Sequence, residues 1–220
     1  MTPESPDFAM SVAQAFQGTA SAYYQDAEQY METQWKGTIW PIIKDFDFRI
    51  TLDFACGQGR NTALLAHHAK QLYAVDANPE AIDVAKRRFP AGRKGCSVEV
   101  VQNNGCDLSG IPSAVLTTLY SFDSMVHFEK RLVELYMPEF FRVMAPGAKG
   151  FIHHSNLGRL SDNPDFQAHP GWRSNVDKDW FARCCWNHGL WPIEQTLLDW
   201  HVGQCVFQHL DCLTVIYKPL

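Results

Sequence analysis

The sequence lacks the long apolar run that a membrane helix requires. No stretch approaches the ~20 consecutive apolar residues that span a bilayer. The first ten residues, MTPESPDFAM, are acidic and polar, without the positive start and apolar core of a secretory signal peptide. These absences favour a cytoplasmic protein that does not enter a membrane.

Positive charge is also in short supply. Nineteen Lys and Arg residues stand against 24 Asp and Glu, which leaves a formal net charge of -5. A domain that binds phosphate backbones is typically basic, so we expect no nucleic-acid partner. The expected partner is a small molecule, and the expected assembly is a monomer or a homodimer.

Cysteine spacing excludes the common disulfide and zinc patterns. The seven cysteines form no C-x-x-C motif, and the adjacent pair Cys184 and Cys185 is too close for an easy bridge. Reduced, mostly buried thiols are the expected state, as in a cytosolic protein. The sequence also has no internal repeat and no low-complexity tract.

From Arg49 onward, short apolar strands alternate with helical patterns. This alternation predicts an α/β, Rossmann-like fold with a seven-stranded, mostly parallel sheet and helices on both faces. The link from Trp200 to Gln208 permits only a hairpin, so the last strand is expected to be antiparallel. The predicted strands are Ile50–Phe54, Gln71–Val75, Ser97–Val101, Val115–Tyr120, Gly150–His154, Gly189–Trp200 and His209–Lys218. The predicted helices are Thr62–Lys70, Pro79–Phe89, Lys130–Met144 (stopped by Pro146-Gly147) and Asp177–His188.

Two further regions complete the predicted organisation. Apolar residues at helical spacing between Ser11 and Trp35 predict one or two helices, and Pro41 is expected to break that pattern. We therefore divide the chain into an N-terminal helical cap, residues 1–45, and a main domain, residues 46–220. Pro, Gly, Asn and Asp residues at about 157–176 predict a long, lid-like loop within the main domain.

The most informative segment is Asp53-Phe54-Ala55-Cys56-Gly57-Gln58-Gly59, at the end of the first predicted strand. Glycine permits a sharp turn and a close approach of ligand to backbone. Ligands of parallel α/β sheets bind at the carboxyl ends of strands. The dinucleotide fingerprint would need a third Gly where Thr62 stands, and it does not account for the acid at Asp53.

The segment resembles the nucleotide-binding turn of class I S-adenosylmethionine-dependent methyltransferases. In that family an acid precedes a Gly-x-Gly-x-Gly loop, and Ala55 takes the place of the first Gly here. The resemblance covers roughly residues 49–155. Its other segments are Tyr73–Pro79, Asn103–Leu108, Ser121–Phe128 and Glu139–Ala148.

The resemblance implies S-adenosylmethionine as the methyl donor and assigns residues to it. Asp76 would accept hydrogen bonds from both ribose hydroxyls, and Asp107 from the adenine amino group, while a backbone N–H near Leu108 would serve the ring. The implied cofactor-binding residues are Asp53, Ala55, Gly57, Gly59, Asp76, Ala77, Asn104, Gly105, Cys106, Asp107, Leu108 and Ser121.

Methyl transfer is an in-line displacement in which the enzyme mainly positions the acceptor and removes its proton. Histidine titrates near neutral pH and suits the role of base. We expect the base among His127, after the fourth strand, and His153 and His154, at the end of the fifth. His154 ranks first because it lies last along its strand. Asp123 could instead orient the acceptor.

Four residues are candidates for binding the acceptor. Trp172 and Arg173 lie in the long loop, and Arg173 could bind an acidic group. Tyr24 and Trp35, in the N-terminal helices, could close over donor and acceptor. Asp123, His127, His153 and Asn156 could also surround a divalent metal, but no local ligand spacing supports this, and we predict no metal.

The function we predict is methyl transfer to a small polar molecule, at a hydroxyl of a sugar or related metabolite. The segments around His127 and His154 resemble a bacterial subgroup of small-molecule methyltransferases that we associate with sugar or surface-polymer chemistry. Ser121-Phe122-Asp123-Ser124 stands where methyltransferases of flipped bases or glutamine amides carry Asn-Pro-Pro-Tyr or Asp-Pro-Pro-Tyr. The alternatives are N-methylation of a small molecule and donor binding without catalysis.

Overall fold

The computed structural model describes residues 28–90, 95–163, 165, 168–202 and 204–220. The chain divides into two compact units. The first contains the described residues up to Pro112 together with Leu116–Thr118, and the second contains Ser113–Val115 and Leu119–Leu220.

The first unit contains three parallel strands with helices between them. Leu52 of β1 lies opposite Tyr73 of β2, which in turn lies opposite Glu99 of β3. Fully buried apolar side chains such as Leu52 and Leu72 form its core. The strands are β1 (Ile50–Phe54), β2 (Gln71–Asp76) and β3 (Ser97–Gln102), and the helices are α1 (described at 28–34), α2 (Trp40–Ile43), α3 (Arg60–Leu65) and α4 (Pro79–Arg88).

The second unit is built on antiparallel pairing. His153 of β5 lies opposite Leu213 of β7, and β7 also pairs antiparallel with β6. Asp177 accepts hydrogen bonds from the backbone of Asp179 and Trp180, which confirms it as the cap of the helix that follows. The elements are β4 (Leu116–Ser121, shared with the first unit), α5 (Lys130–Val143), β5 (Met144–Ser155), α6 (Lys178–Asn187), β6 (Trp191–Val202) and β7 (Cys205–Tyr217).

The sheet has the strand order β3-β2-β1-β4-β5-β7-β6. β7 pairs antiparallel with both of its neighbours, β5 and β6, whereas β2 pairs parallel with both β1 and β3. The predicted fold class, with a seven-stranded, mostly parallel sheet and an antiparallel last strand, is therefore confirmed.

Several predicted boundaries were wrong. The helix expected to end at Lys70 ends at Leu65. Helix α5 ends at Val143, one residue before the predicted end, and β5 begins at Met144, so Pro146 and Gly147 lie within the strand instead of stopping the helix. The β6–β7 hairpin is longer than predicted, with only residues 203–204 between its strands.

Pro41 does not break the N-terminal helical segment. A π-helical turn spans Trp35–Ile39, and α2 follows directly with Pro41 in its first turn. The missing N–H of proline costs little there, because first-turn amides have no partner within the helix. No described helix is long and apolar enough to cross a membrane.

Candidate functional site

The turn after β1 has the backbone geometry that a glycine-rich loop allows. Ala55, Gly57 and Gly59 have φ angles of 55°, 55° and 84°, in the left-handed region. The Gly59 N–H donates to the Cys56 carbonyl (3.0 Å), which closes the turn. At Gly59 a Cβ would meet the Phe89 ring at 2.5 Å, so this position requires glycine on steric grounds as well.

Asp76 joins the three predicted donor-binding segments. Its Oδ2 accepts from the Gly57 N–H (2.7 Å), and its Oδ1 accepts from the Asn78 N–H (2.8 Å). The Asp76 carbonyl accepts from the Asn103 N–H (3.0 Å). The first-, second- and third-strand segments therefore meet at one edge of the first unit. Burial raises the Asp76 pKa, against the lowering effect of these amides.

Asp53 is almost completely buried and has an internal partner. The Thr62 hydroxyl donates to its Oδ2 at 2.5 Å, which links the end of β1 to α3. Burial raises the Asp53 pKa to about 7, although the Thr62 bond opposes the shift. Thr62, which stands where the dinucleotide fingerprint has its third glycine, thus binds Asp53, the acid at the end of β1.

The loop after β3 is organised by its own side chains. The Asn104 carboxamide accepts from the Cys106 and Asp107 amides (2.8 and 3.0 Å) and donates to Asp107 Oδ2 (2.6 Å). Gly105 has a φ of 80° and is buried. Leu108 is buried, whereas Ala77, Cys106 and Asp107 are partly exposed. The predicted adenine-side residues therefore share one ordered loop.

A carboxylate has about four acceptor positions, so Asp76 can bind hydroxyls in addition to the Gly57 and Asn78 amides. The left-handed turn and the partly exposed Asp107 carboxylate likewise fit a nucleoside. These residues fit S-adenosylmethionine, and their individual assignments stay predictions.

The end of β4, in the second unit, carries Ser121 and Asp123. Ser121 is fully buried, and its hydroxyl has no hydrogen-bond partner among the described residues. Asp123 has a φ of 62°, and its N–H donates to His153 Nδ1 (3.2 Å). The structure thus brings together two of the four predicted catalytic residues, Asp123 and His153.

One ring nitrogen of His153 is hydrogen-bonded, and the other faces an acid. Because Nδ1 accepts from a backbone N–H, the proton of the neutral ring is on Nε2. Nε2 lies 3.1 Å from Asp211 Oδ2, although its N–H is not aligned for a hydrogen bond. The ring stacks on Phe122 (4.6 Å) and is fully buried. This arrangement suits a structural residue better than a base.

His154 points to the other face of the strand. It stacks on Phe181 of α6 at 3.9 Å. Its Nδ1–H donates to the Ser155 carbonyl (2.7 Å), so Nε2 accepts from the Thr214 hydroxyl (2.8 Å). Burial lowers its pKa to about 3. The structure gives no support to His154 as the first choice for the base.

His127 differs from the other two histidines in being half-buried. Its Nδ1 lies 2.7 Å from the Trp172 carbonyl oxygen, which can only accept, so Nδ1 carries the proton and Nε2 the lone pair. Burial and then the Arg173 charge lower the His127 pKa to about 4. His127 is therefore neutral near pH 7 and oriented as a base requires.

Arg173 does not have the exposed position expected of a substrate ligand. Its Nε and Nη2 bind Asp211 in a bidentate pair at 2.8 and 2.6 Å, and both residues are buried. The guanidinium also lies over the Trp200 ring (4.8 Å). Sequence reasoning missed Asp211. Its signal is an acid in the apolar strand segment Leu210-Asp211-Cys212-Leu213, since a buried charge needs a partner.

The remaining predicted acceptor residues have different outcomes. Trp172 is half-buried with a φ of 54°. Trp35 is buried and stacks with Trp40 (5.7 Å) and His68 (6.1 Å), which is a packing role. Tyr24 lies outside the described residues. Across the described ranges, no group of three or more His, Cys, Asp or Glu side chains is placed to hold a metal ion.

Residues 51–147 match the family described as a methyltransferase domain. A probable cobalt-precorrin-6B C(15)-methyltransferase (decarboxylating) of Methanobrevibacter smithii is 35% identical over 54 residues. This match covers 24% of the chain and only 29% of the relative's own length.

Solved structures of methyltransferases share the fold at low sequence identity. One is a SAM-dependent methyltransferase of Methanosarcina mazei (TM-score 0.65, 17% identity, covering 82% of this chain and 98% of that one). Another is a geranyl diphosphate C-methyltransferase of Streptomyces coelicolor (TM-score 0.65, 12% identity, covering 93% and 88%), solved with Mg²⁺, geranyl diphosphate and S-adenosyl-L-homocysteine.

The match of residues 51–147 to a methyltransferase domain and the fold shared with solved S-adenosylmethionine-dependent methyltransferases bear out the predicted resemblance to class I S-adenosylmethionine-dependent methyltransferases, and with it S-adenosylmethionine as the methyl donor.

Proposed function

We propose that this protein transfers the methyl group of S-adenosylmethionine to a hydroxyl of a small polar molecule, a sugar or related metabolite, in the cytoplasm. The observation that carries the donor part is the meeting of Gly57, Asp76 and Asn103 in one hydrogen-bonded group. In this proposal Asp76 holds the ribose and Asp107 the adenine amino group. Bound donor supplies an activated methyl on its sulfonium.

His127 is the general base in this proposal. Partial exposure distinguishes it from His153 and His154, and the Trp172 carbonyl fixes its proton on Nδ1 in a ring that is neutral near pH 7. The ring of His153 is fully buried against Phe122, and both ring nitrogens of His154 form hydrogen bonds inside the protein. Asp123 keeps its predicted role of orienting the acceptor.

The proposed acceptor class rests on net charge and on the segment at the end of β4. There Ser121-Phe122-Asp123-Ser124 stands in place of the Asn-Pro-Pro-Tyr or Asp-Pro-Pro-Tyr of methyltransferases that act on flipped bases or glutamine amides. A net charge of -5 favours a small molecule over a nucleic acid. N-methylation is the second candidate, and one observation favours it. With a pKa of about 4, His127 is a weak base, whereas an amine that arrives neutral needs no base at all.

The proposal is tested by methyl transfer from labelled donor to a panel of sugars, sugar phosphates and amines. With the acceptor so identified, His127→Ala should lower turnover roughly 10²–10⁴-fold, the usual cost of losing a general base. The affinity for S-adenosylhomocysteine, measured by calorimetry, should stay as in the wild type. Full turnover in His127→Ala would exclude His127 as the base.

His67→Ala is the matched control, because His67 is an exposed histidine of the first unit. It should retain both turnover and donor affinity. The panel itself separates the two candidates, since transfer to amines alone would support N-methylation and contradict the hydroxyl proposal. Binding of S-adenosylhomocysteine without transfer to any acceptor would favour a donor-binding protein.

A further inference from the structure

Arg173, in its buried ion pair with Asp211, makes a further contact that none of the roles above uses. Besides binding Asp211, Arg173 donates from Nη1 to the Gly171 carbonyl at 2.8 Å. The Arg173 guanidinium thus links Asp211 of β7 to the backbone of the loop in which Arg173 itself lies. Because Asp211 lies in the β5–β7 ladder opposite Ser155, it offers a rigid point of attachment.

The loop backbone on either side of Trp172 is fixed. The Arg173 side chain binds the Gly171 carbonyl on one side, and on the other the Ser174 N–H donates to the Val126 carbonyl (2.9 Å). Trp172 lies between these contacts with a φ of 54°. A bulky residue in the left-handed region costs free energy and persists only where its surroundings hold it.

The held peptide carries the group that orients His127. The Trp172 carbonyl lies 2.7 Å from His127 Nδ1 and accepts its proton. If the loop backbone relaxed, this carbonyl would move, and the imidazole could place its proton on Nε2 instead. A ring protonated there could not take a proton from an acceptor at Nε2.

We propose that Arg173 and Asp211 are positioning residues that hold the Trp172 carbonyl against His127 and so fix the tautomer of the base. The proposal rests on the function proposed above for His127. The ion pair acts through two backbone carbonyls, of Gly171 and Trp172, and needs no contact with donor or acceptor. Arg173 thereby has a role in catalysis different from the substrate binding that its sequence position suggested.

Arg173→Lys is the most direct test, since lysine keeps the charge but cannot bind Asp211 bidentately while also reaching Gly171. The tautomer of His127 is read by long-range proton–nitrogen NMR, with the signals assigned by their loss in His127→Gln. In the wild type one ring nitrogen should have the shift of an N–H and the other that of a lone-pair nitrogen. In Arg173→Lys the two shifts should converge.

Turnover is the second measurement that tests the role of Arg173. In Arg173→Lys it should fall roughly 10- to 100-fold, the scale expected for a misplaced catalytic group. Affinity for S-adenosylhomocysteine should be unchanged. Asp211→Asn is a second variant, for the case in which Arg173→Lys folds poorly. It keeps the side-chain shape of Asp211, and the same mixture of His127 tautomers is expected.

Arg159→Lys is the matched control. Arg159 lies in the same loop and donates to a carbonyl of the hairpin, that of Gln208 (2.9 Å), but not to Asp211. It should leave the tautomer and turnover unchanged. An unchanged tautomer in folded Arg173→Lys or Asp211→Asn would overturn the positioning proposal, whatever the turnover. The base itself is judged separately, by the turnover of His127→Ala.

Discussion

Two acids, Asp76 in the first unit and Asp211 in the second, show two ways of building a polar site. The carboxylate oxygens of Asp76 accept from backbone amides close to it in the fold. Those of Asp211 lie against two side chains, Arg173 and His153. Burial raises the pKa of both acids, but for Asp211 the neighbouring His153 and Arg173 more than offset it and hold the pKa well below its usual range.

The difference in hydrogen-bond partners distinguishes an acid that can bind a ligand, Asp76, from an acid that stabilises the fold, Asp211. A carboxylate held by amides keeps acceptor positions for a ligand, so its loss should mainly affect affinity. A carboxylate enclosed with an arginine is one half of a buried pair, so its loss should mainly affect folding. Each prediction below can break or sharpen this contrast.

The largest expected effect is on stability, in Asp211→Ala. Removing one partner of a buried pair leaves an uncompensated charge, here on Arg173, and typically costs about 3–5 kcal/mol. Urea unfolding should show this loss as a lower midpoint. The control is Asp162→Ala, because Asp162 pairs with Lys130 at 3.1 Å but its side chain is 89% exposed. Equal stability of the two variants would contradict the contrast.

Asp76→Ala should show the opposite pattern. The loss of charged hydrogen bonds to the ribose should weaken S-adenosylhomocysteine binding by about 1.5–3 kcal/mol. The melting temperature should change less than in Asp211→Ala. Asp83→Ala, an exposed acid of α4, should bind like the wild type in the same calorimetry. Wild-type affinity in Asp76→Ala would remove the ribose assignment.

The contrast also explains how much the sequence could predict. The donor-binding segments could be proposed from the sequence because the roles proposed for them depend on local backbone geometry, which spacing reveals. Left-handed φ angles at Gly57 and Gly59 and an acid at the end of β2 follow from motif and order alone. The fold class was predictable for the same reason, since alternating elements specify a parallel sheet.

The histidine cluster could not be predicted in this way. Alternation along β5 shows that His153 and His154 point to opposite faces, but not which face each takes. That choice depends on Phe122 and Phe181, which come from other segments. Asp211 and Arg173 are 38 positions apart, and no spacing rule pairs them.

The third prediction concerns acid stability and follows from His154. Burial lowers its folded pKa to about 3, below the ordinary 6.5 that applies to the unfolded chain. As the pH falls below 6.5 the unfolded state therefore binds a proton first, and stability is lost until about pH 3. At pH 5 the contribution of His154 to this loss is about 2 kcal/mol, measured as the part of the fall in urea midpoint between pH 7 and pH 5 that a non-titrating residue at this position removes.

His154→Gln tests this assignment, since glutamine does not titrate. The variant should be less stable at pH 7, where it loses packing on Phe181, but its stability should fall less between pH 7 and pH 5. His67→Gln, at an exposed position, should keep the wild-type pH dependence. The same dependence in His154→Gln would show that the acid sensitivity comes from other groups.

The smallest expected effect is a gain in stability from Ala55→Gly in the donor turn. Ala55 has a φ of 55°, where a side chain costs roughly 1–2 kcal/mol that glycine avoids. Because glycine also adds entropy to the unfolded chain, the net gain should be about 0.5–1 kcal/mol. Ala114→Gly is a close control, with a φ of 56° at an exposed position away from the donor segments. Both variants should melt slightly higher than the wild type, and neither should lose affinity for S-adenosylhomocysteine.

A gain in stability in Ala114→Gly with a loss of stability or affinity in Ala55→Gly would mean that the Ala55 methyl group itself contributes to the turn or to the bound donor. The donor segment would then depend on a side chain as well as on its backbone. It would therefore differ less from the site around Asp211, which depends on side-chain contacts.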